Sequence, residues 1–398
     1  MISPDRALFS IGGLDPRSLA ERFGTPLFVY DAEALRTAYR TMRDAFEYTP
    51  TRVHYAAVCN PNLHLLRLLC AEGAGLHANS PGDVFCGLRA GFAPEDIVFS
   101  GSNLGNEDLA YLMDANVHLN LDSLDDLERA LERGAGRSFG LRVHLEQALP
   151  ESRMGLRVSE LDQARKAARA AGSRITALHV YCGTHGRHVD RYRAALALLV
   201  DLAECFPDID CLNLGGGFGY DYHERQSFPF SELAAVAEVT LKKLSLRLGR
   251  PITLRVEPGR ALVAAAGVLL TRVRSTKMGA GRRYVGVDTT TAHFTSPAVH
   301  GAHRHVVSVT ARSAIAEASD VCGNTTYSRD FIAQNIVLPA VRAGDLLAIL
   351  DAGAYGYCMG GRFLNRPRPA EIFVDGGEAK LVTRRESFED LISLQMDA

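Results

Sequence analysis

Short apolar segments alternate with amphipathic segments of helical period through most of the chain. Residues 27–30 form the first apolar segment, and Asp31 follows it as a side chain that can cap a helix. Short apolar runs bounded by turn residues are typical of buried strands. Strands that alternate with helices predict a parallel sheet covered by helices. The further predicted strands lie at residues 52–58, 76–78, 97–100, 117–121, 139–144, 177–181, 211–214 and 252–256.

About eight strands in this order favour closure into an α/β barrel of the (β/α)8 TIM type. An open, doubly wound sheet is the alternative, but the pattern gives no sign of a reversal in strand order. After residue 262 the predicted strands follow one another without long helices. We therefore predict a barrel over residues 27–262. A smaller β-domain would comprise residues 263–398 and residues 1–26, which would add a strand to it.

Composition narrows the class of protein. The chain has 398 residues, 47% of them apolar and 23% charged, with a formal net charge of -2. These values are typical of a globular protein and lack the basic excess of a nucleic-acid-binding protein. No apolar run is long enough to span a bilayer, and the N-terminal residues do not resemble a secretory signal. We expect a cytoplasmic protein with no nucleic-acid or membrane partner, whose cysteines are free thiols.

Unusual loops follow several of the predicted strands, and the sites of barrel enzymes lie at these strand ends. Gly215, Gly216 and Gly217 would let backbone N–H groups converge on a phosphate, although a tight turn is the alternative. Arg260 could hold the same phosphate through charge-assisted hydrogen bonds. Glu257 could pair with a protonated ring nitrogen, or form a salt bridge inside the barrel.

Motifs between residues 25 and 390 occur in the same order as those of one known family, and the loops described above are among them. The chain resembles the fold-type III pyridoxal-phosphate decarboxylases, the group of diaminopimelate, ornithine and arginine decarboxylases that shares its barrel with alanine racemase. The resemblance implies a carboxy-lyase of amino-acid metabolism that uses pyridoxal 5'-phosphate. The matching motifs are 28–31 (FVYD), 55–62 (YAAVCNPN), 120–123 (NLDS), 152–155 (SRMG), 178–184 (LHVYCGT), 257–260 (EPGR) and 366–371 (RPRPAE). The cofactor-binding residues it implies are Thr184, Gly215, Gly216, Gly217, Glu257, Gly259, Arg260 and Tyr355.

The departures from the family pattern concern the substrate side. The lysine that carries the cofactor as a Schiff base aligns with Val58, and the first 165 residues contain no lysine. The imidazole that stacks on the cofactor ring aligns with Tyr181. The partner-subunit motif Cys-Glu-Ser-x-Asp reads Thr-Tyr-Ser-Arg-Asp, so Thr326 and Tyr327 replace its thiol and its carboxylate. His77 stands where an aspartate is usual.

Several polar side chains are candidates to replace the lost acid–base groups, and a merely polar lining of a remodelled pocket is the alternative. In the diaminopimelate enzymes of the family, an Arg-Pro pair binds the distal carboxylate of the substrate. The same two positions here are Ser296 and Pro297. Histidines at positions 300, 303 and 305, and at 185 and 188, could bind a metal, but surface histidines are the simpler interpretation and no metal site is predicted. The predicted catalytic residues are Tyr181, His77, His185, Thr326 and Tyr327.

The residues that the resemblance implies for phosphate binding match the family pattern, whereas those implied to contact the substrate differ from it. Three hypotheses follow. The preferred one is a decarboxylase-like enzyme that acts on an amino-acid-type substrate in a biosynthetic pathway and holds pyridoxal phosphate without a covalent bond. The second is a non-catalytic protein that binds a phosphorylated ligand, and the third is a different reaction without this cofactor. The resemblance also implies a homodimer, in which residues 326–330 and the loop of Tyr355 complete the neighbour's site.

Overall fold

The computed structural model describes residues 10–146, 149–184, 186–279, 281–301, 303–310 and 316–396. The chain folds into two compact units. One unit, here called the barrel unit, comprises residues 38–220 and 227–261. The other, here called the sheet unit, comprises the described residues up to 37, residues 221–226, and those from 262 onward.

The barrel unit contains the predicted closed barrel. Its last strand pairs in parallel with its first, through Leu254 and Thr51, and with the strand before it, through Thr253 and Cys211. This closure confirms the (β/α)8 prediction and excludes the open sheet. The carboxyl ends of all eight strands therefore meet at one end of the barrel, where the sites of such folds lie. The eight strands are Thr51–Ala56, Gly75–Ala78, Ile97–Phe99, His118–Leu121, Ser138–Val143, Arg174–Val180, Cys211–Asn213 and Thr253–Val256.

Helices between these strands begin at recognisable caps. Ser80 and Asp83 form a reciprocal capping box at the start of one helix, and the Asn62 side chain accepts a hydrogen bond from the His64 N–H at the start of another. Such caps satisfy backbone donors that have no partner within the helix. The helices of this part of the chain are Ala32–Ala45, Leu63–Ala71, Pro81–Ala90, Asn106–Asp114, Leu124–Arg133, Leu161–Ala170, Val189–Ala203, Phe230–Leu248 and Arg260–Val263.

The strand Leu27–Asp31 corrects one sequence-based expectation, because it lies in the sheet unit and not in the barrel. It pairs antiparallel with the strand Gly267–Gly279 and parallel with Ala370–Asp375. Its first four residues are buried. A strand buried in this way has the same sequence pattern in a barrel and in a covered sheet, so periodicity alone did not distinguish the two.

The sheet unit is built on one mixed sheet, as the change of pattern after residue 262 predicts. Residues 1–26 were expected to add a strand to this unit. Residues 1–9 lie outside the described residues, and residues 16–23 form a helix. Asp15 caps this helix, with Pro16 at its first position. The strands are Leu27–Asp31, Gly267–Gly279, Arg282–Val287, Val306–Ser308, Ala316–Cys322, Phe331–Pro339, Leu346–Ile349, Ala370–Asp375 and Glu378–Thr383, and the helices are Pro16–Phe23, Ser296–His300 and Phe388–Ile392.

None of the helices in the described part of the chain has the length and apolar composition that crossing a membrane requires.

Candidate active site

Glu257 is the centre of a polar cluster inside the barrel. It follows the strand Thr253–Val256 directly and is only 1% exposed. Its Oε1 accepts a hydrogen bond from Asn213 Nδ2 at 2.7 Å, and its Oε2 accepts one from His179 Nε2 at 3.1 Å. His77 Nε2 lies 3.3 Å from the same Oε2, without the alignment of a hydrogen bond. The structure thus places the predicted residues Glu257 and His77 side by side.

Burial and neighbouring groups act in opposite directions on the charges of this cluster. Burial alone would raise the pKa of Glu257, but His77, His179 and Asn213 together bring that pKa well below its usual value. Burial also lowers the pKa of His77 to about 4, and Glu257 opposes this only in part. At neutral pH the cluster is therefore a carboxylate beside a neutral imidazole. Such a carboxylate can accept a hydrogen bond from a protonated ring nitrogen or bind a metal ion.

The predicted glycine loop packs tightly against the next strand end. A Cβ added to Gly216 would lie 2.7 Å from the carbonyl oxygen of Glu257, which is closer than real Cβ atoms approach. Gly217 has a φ of 91°, a left-handed conformation that favours glycine. Among the described residues, the N–H groups of Gly216 and Gly217 have no hydrogen-bond acceptor. The loop thus retains two backbone donors that an anion can use.

Val58 lies in a short 3-10 turn, Ala57–Cys59, directly after the first barrel strand. Its side chain is 41% exposed, whereas Ala57 and Cys59 are buried. The Cys59 sulfur packs against Gly259 so closely that a Cβ at position 259 would overlap it. Residue 58 is therefore presented by a turn that packs on the loop after Glu257. Arg260, at the end of that loop, is buried.

Tyr181 is held from two sides at the end of another barrel strand. Its hydroxyl forms a hydrogen bond with the hydroxyl of Thr184. The guanidinium carbon of Arg142 lies 5.6 Å from the centre of its ring, within the range of a cation–π contact. Arg142 is itself buried and paired with Asp122, with Nη1 and Oδ1 3.4 Å apart. These contacts fix an aromatic ring where the sequence predicts a stacking residue.

The remaining predicted site residues belong to the sheet unit or lie outside the described residues. Thr326 and Tyr327 belong to the sheet unit and are exposed. Tyr355 belongs to the same unit and has a positive φ of 54°, which is uncommon for a residue other than glycine. His185 lies outside the described residues. The roles of these four residues stay predictions.

Asp330 fixes the segment that carries Thr326 and Tyr327. It is 2% exposed, and its Oδ1 accepts hydrogen bonds from the Thr291 N–H at 2.7 Å and from the Thr290 hydroxyl at 3.0 Å. Its Oδ2 accepts one from the Thr325 N–H at 3.1 Å. A buried carboxylate with this many donors is held firmly, so the exposed pair next to Thr325 stands on a rigid support.

Two members of the Glu257 cluster were not predicted as site residues, namely His179 and Asn213. Alternate residues of a strand share a face, so His179 lies on the same face as Tyr181, which the sequence did single out. Asn213 ends the strand before the glycine loop and accepts a hydrogen bond from the Gly215 N–H at 2.9 Å. Strand alternation could have identified His179, whereas the contact of Asn213 with Glu257 depends on barrel closure.

Comparisons of the sequence and the fold with known proteins identify the family of this chain. Residues 32–264 match the family model described as pyridoxal-dependent decarboxylase, pyridoxal binding domain. The chain is 34% identical to a diaminopimelate decarboxylase of Methanothermobacter thermautotrophicus, across 98% of this chain and 95% of that relative. It is 33% identical to a diaminopimelate decarboxylase of Pseudomonas fluorescens, across 96% of this chain and 95% of that relative.

Among solved structures, the fold is similar to that of diaminopimelate decarboxylase from M. jannaschii in co-complex with L-lysine. The TM-score is 0.92 at 28% identity, and the superposition covers 99% of this chain and 97% of that one. The motifs, the closed barrel and these similarities agree, and the resemblance stated from the sequence is confirmed. The chain belongs to the pyridoxal-dependent decarboxylases, a family of carboxy-lyases.

Proposed function

We propose that this chain binds pyridoxal 5'-phosphate without a covalent bond and decarboxylates an amino-acid substrate. One observation carries the proposal. A buried, ionised Glu257 lies on the strand end next to Gly216 and Gly217, whose N–H groups have no acceptor among the described residues. The resemblance places the lysine of the family at Val58. These features support a site that holds the cofactor without a covalent bond at residue 58.

Membership of the family implies pyridoxal phosphate as cofactor, and the residues of this chain fit most of its parts. Gly216 and Gly217 offer backbone donors for the phosphate, and the resemblance implies that the buried cation Arg260 binds it as well. Glu257 suits a protonated pyridine nitrogen, because it is ionised although it is buried. Val58 does not fit covalent attachment, because its side chain carries no amine.

When bound, the cofactor would supply an electron sink for the electron pair that remains after loss of carbon dioxide. The protein's part would be to bind and orient. Glu257 would hold a proton on the ring nitrogen through a charge-assisted hydrogen bond. Tyr181, fixed by Thr184 and Arg142, would support one face of the ring. His77, neutral at pH 7, would offer an imidazole nitrogen as a proton acceptor near the same carboxylate.

We propose that the substrate is an amino acid without a distal carboxylate. Ser296 stands where the resemblance places an arginine that grips such a group, and it is fully buried. Its hydroxyl lies 3.4 Å from Nη2 of Arg304, which donates to it. A buried serine that is already engaged within its own unit offers no charge to a carboxylate. This supports a substrate that differs from the one named for the relatives.

We also propose a homodimer. Thr326 and Tyr327 are exposed on the support formed by Asp330, and Tyr327 packs edge-on against the exposed ring of Phe363, with centroids 5.7 Å apart. A rigid exposed aromatic pair of this kind is typical of a surface that another protein covers.

The proposal is tested by comparing the parent protein with Val58→Lys and with Val158→Lys. Val158 is the matched control, because it is 44% exposed in the same unit. We expect the parent to bind added pyridoxal phosphate reversibly and to lose it on gel filtration. Borohydride should fix the cofactor to residue 58 of Val58→Lys, and peptide mass spectrometry should find no saturable adduct at residue 158 of the control.

Carbon dioxide release from a panel of amino acids, with and without added cofactor, tests the reaction itself. Release that depends on the cofactor supports a decarboxylase. Tight cofactor binding with no release from any member of the panel would favour the non-catalytic alternative. If Val58→Lys acquires no adduct and the parent binds no cofactor, the proposal fails. The result would favour a different reaction that does not use this cofactor.

A further inference from the structure

Two imidazoles and one carboxylate converge inside the barrel in an arrangement that cofactor binding does not require. His77 Nε2 and His179 Nε2 lie 3.3 Å and 3.1 Å from Glu257 Oε2. The three ligand atoms all lie within 4.8 Å of one another. Ligand atoms at about 2.0–2.1 Å from a tetrahedral zinc ion are about 3.3 Å apart, so a small shift would place them around one ion.

His77 supplies a second and independent observation. It is more than nine-tenths buried, and neither of its ring nitrogens has a hydrogen-bond partner in the described part of the chain. A buried polar atom without a partner destabilises the folded state, so native structures usually give it one. The Nε2 atom of His77 points toward the carboxylate oxygen that His179 already engages. A bound cation would satisfy Nε2 and Oε2 together.

We propose that His77, His179 and Glu257 bind one divalent transition-metal ion in the cofactor-free chain. His179 would then take the tautomer with its proton on Nδ1, and the metal would replace the hydrogen bond from Nε2 to Glu257. Two imidazoles and one carboxylate are a donor set that zinc and related metals accept. Asn213 would orient the carboxylate from outside, since its Nδ2 donates to Oε1 at 2.7 Å and leaves Oε2 to the metal. Three protein ligands leave further positions open to water or to a small molecule.

The surrounding charges decide which ions fit. Arg142 and Arg255 act electrostatically on His77, and Arg142 is paired with Asp122. Glu257 is the single carboxylate of the triad, and the two arginines add positive charge near it, so the site has no excess of negative charge. Mg²⁺ and Ca²⁺ need several oxygen ligands, whereas Zn²⁺ and Co²⁺ bind imidazole nitrogen well. We expect selectivity for Zn²⁺ and Co²⁺ over Mg²⁺ and Ca²⁺.

This site goes beyond the proposed function and competes with it for one residue. The ring nitrogen of the cofactor and the metal ion would both need the carboxylate of Glu257. Cofactor should therefore displace metal, and metal should weaken cofactor binding by the same factor, as linkage requires. The two proposals can fail separately, because metal binding is measured on cofactor-free protein.

Cobalt titration of metal-free, cofactor-free protein tests the inference. We expect one Co²⁺ per chain, with the visible absorption of a low-coordinate site, displaced by Zn²⁺ and unaffected by excess Mg²⁺. His77→Ala and His179→Ala should each weaken Co²⁺ binding at least about tenfold. His77→Gln, which retains a polar side chain, serves as a second variant if His77→Ala does not fold, as judged by circular dichroism.

His303→Ala is the matched control. His303 lies in the other histidine cluster of the chain, where its ring stacks on His223 with centroids 4.3 Å apart and meets His305 at 4.6 Å. Cobalt binding that survives His303→Ala and is lost in His77→Ala supports the inference. The inference is overturned if no stoichiometric Co²⁺ binds, or if binding survives the His77 variants and is lost in His303→Ala. Metal binding that pyridoxal phosphate never displaces would leave the site standing and count against the proposed use of Glu257.

Discussion

Replacing Gly216 with alanine tests whether the glycine loop sets the position of the buried carboxylate. The new Cβ would stand 2.7 Å from the carbonyl oxygen of Glu257. Ordinary contacts of this kind begin near 3.4 Å, so one of the two loops must move by about half an ångström or more. Neither loop moves freely, because the Glu257 N–H donates to the Gly215 carbonyl at 2.8 Å. Overpacking of this type costs about 1–3 kcal/mol of unfolding free energy.

Gly82→Ala is the matched control for this substitution. Gly82 lies in the barrel unit within the helix Pro81–Ala90, and a Cβ there would meet its nearest neighbour, Ser80 Oγ, at an ordinary 3.6 Å. Alanine in place of an unstrained helical glycine stabilises a protein by about 0.4–1 kcal/mol. The two variants should thus shift the midpoint of urea unfolding in opposite directions.

Urea unfolding followed by circular dichroism measures both shifts, and titration with pyridoxal phosphate measures the effect on the site. Gly216→Ala should also bind the cofactor more weakly, because the Glu257 loop is displaced. Unfolding of Gly216→Ala at the same urea concentration as the parent would refute the argument from close packing. A loss of stability in Gly82→Ala as large as that in Gly216→Ala would show that the effect is not specific to the loop.

Three other predictions follow from features described above. Arg260→Ala should weaken binding of pyridoxal phosphate by roughly ten- to a hundredfold, since a charge-assisted hydrogen bond is worth about 1.5–3 kcal/mol, and an unchanged affinity in a fluorescence titration would place the phosphate elsewhere. Light scattering should find a dimer, and a stable monomer at micromolar concentration would contradict the proposed assembly. Burial lowers the pKa of His77 to about 4 from an unfolded value near 6.5, so the unfolded chain binds more protons between these values and stability should fall as pH drops from 6.5 to 4. His77→Gln should remove up to about 3 kcal/mol of that pH dependence in urea unfolding, and an unchanged slope would show that His77 is not neutral when folded.

The barrel and the loop residues could be predicted from the sequence because each depends on local pattern. Short apolar runs between amphipathic segments determine parallel strands and covering helices, whatever their exact partners. Glu257 follows its strand directly, and the three glycines begin two residues after theirs, so their place at the strand ends needs no knowledge of long-range contacts. Val58 could be singled out because Tyr55, Ala56 and Asn60 of the surrounding motif match the family pattern.

Long-range contacts account for what the sequence did not reveal. The hydrogen bond from Asn213 to Glu257 exists because the barrel closes in a particular register, and no local pattern encodes it. The strand Leu27–Asp31 has the apolar pattern of a barrel strand, but its partners lie more than two hundred residues away along the chain. The need for glycine at 216 likewise comes from the next strand end and not from the turn alone.

The location of Leu27–Asp31 has a consequence for the order in which the protein acquires its structure during synthesis. All eight barrel strands lie between residues 51 and 256, so the ribosome can release a complete barrel before the sheet unit exists. Leu27–Asp31 is made first, yet it must wait for both of its neighbours, Gly267–Gly279 and Ala370–Asp375. Throughout that interval the nascent chain carries an apolar strand with two unpaired edges. Unpaired strand edges pair readily with other chains, so we expect the nascent chain to be most prone to aggregation at this stage.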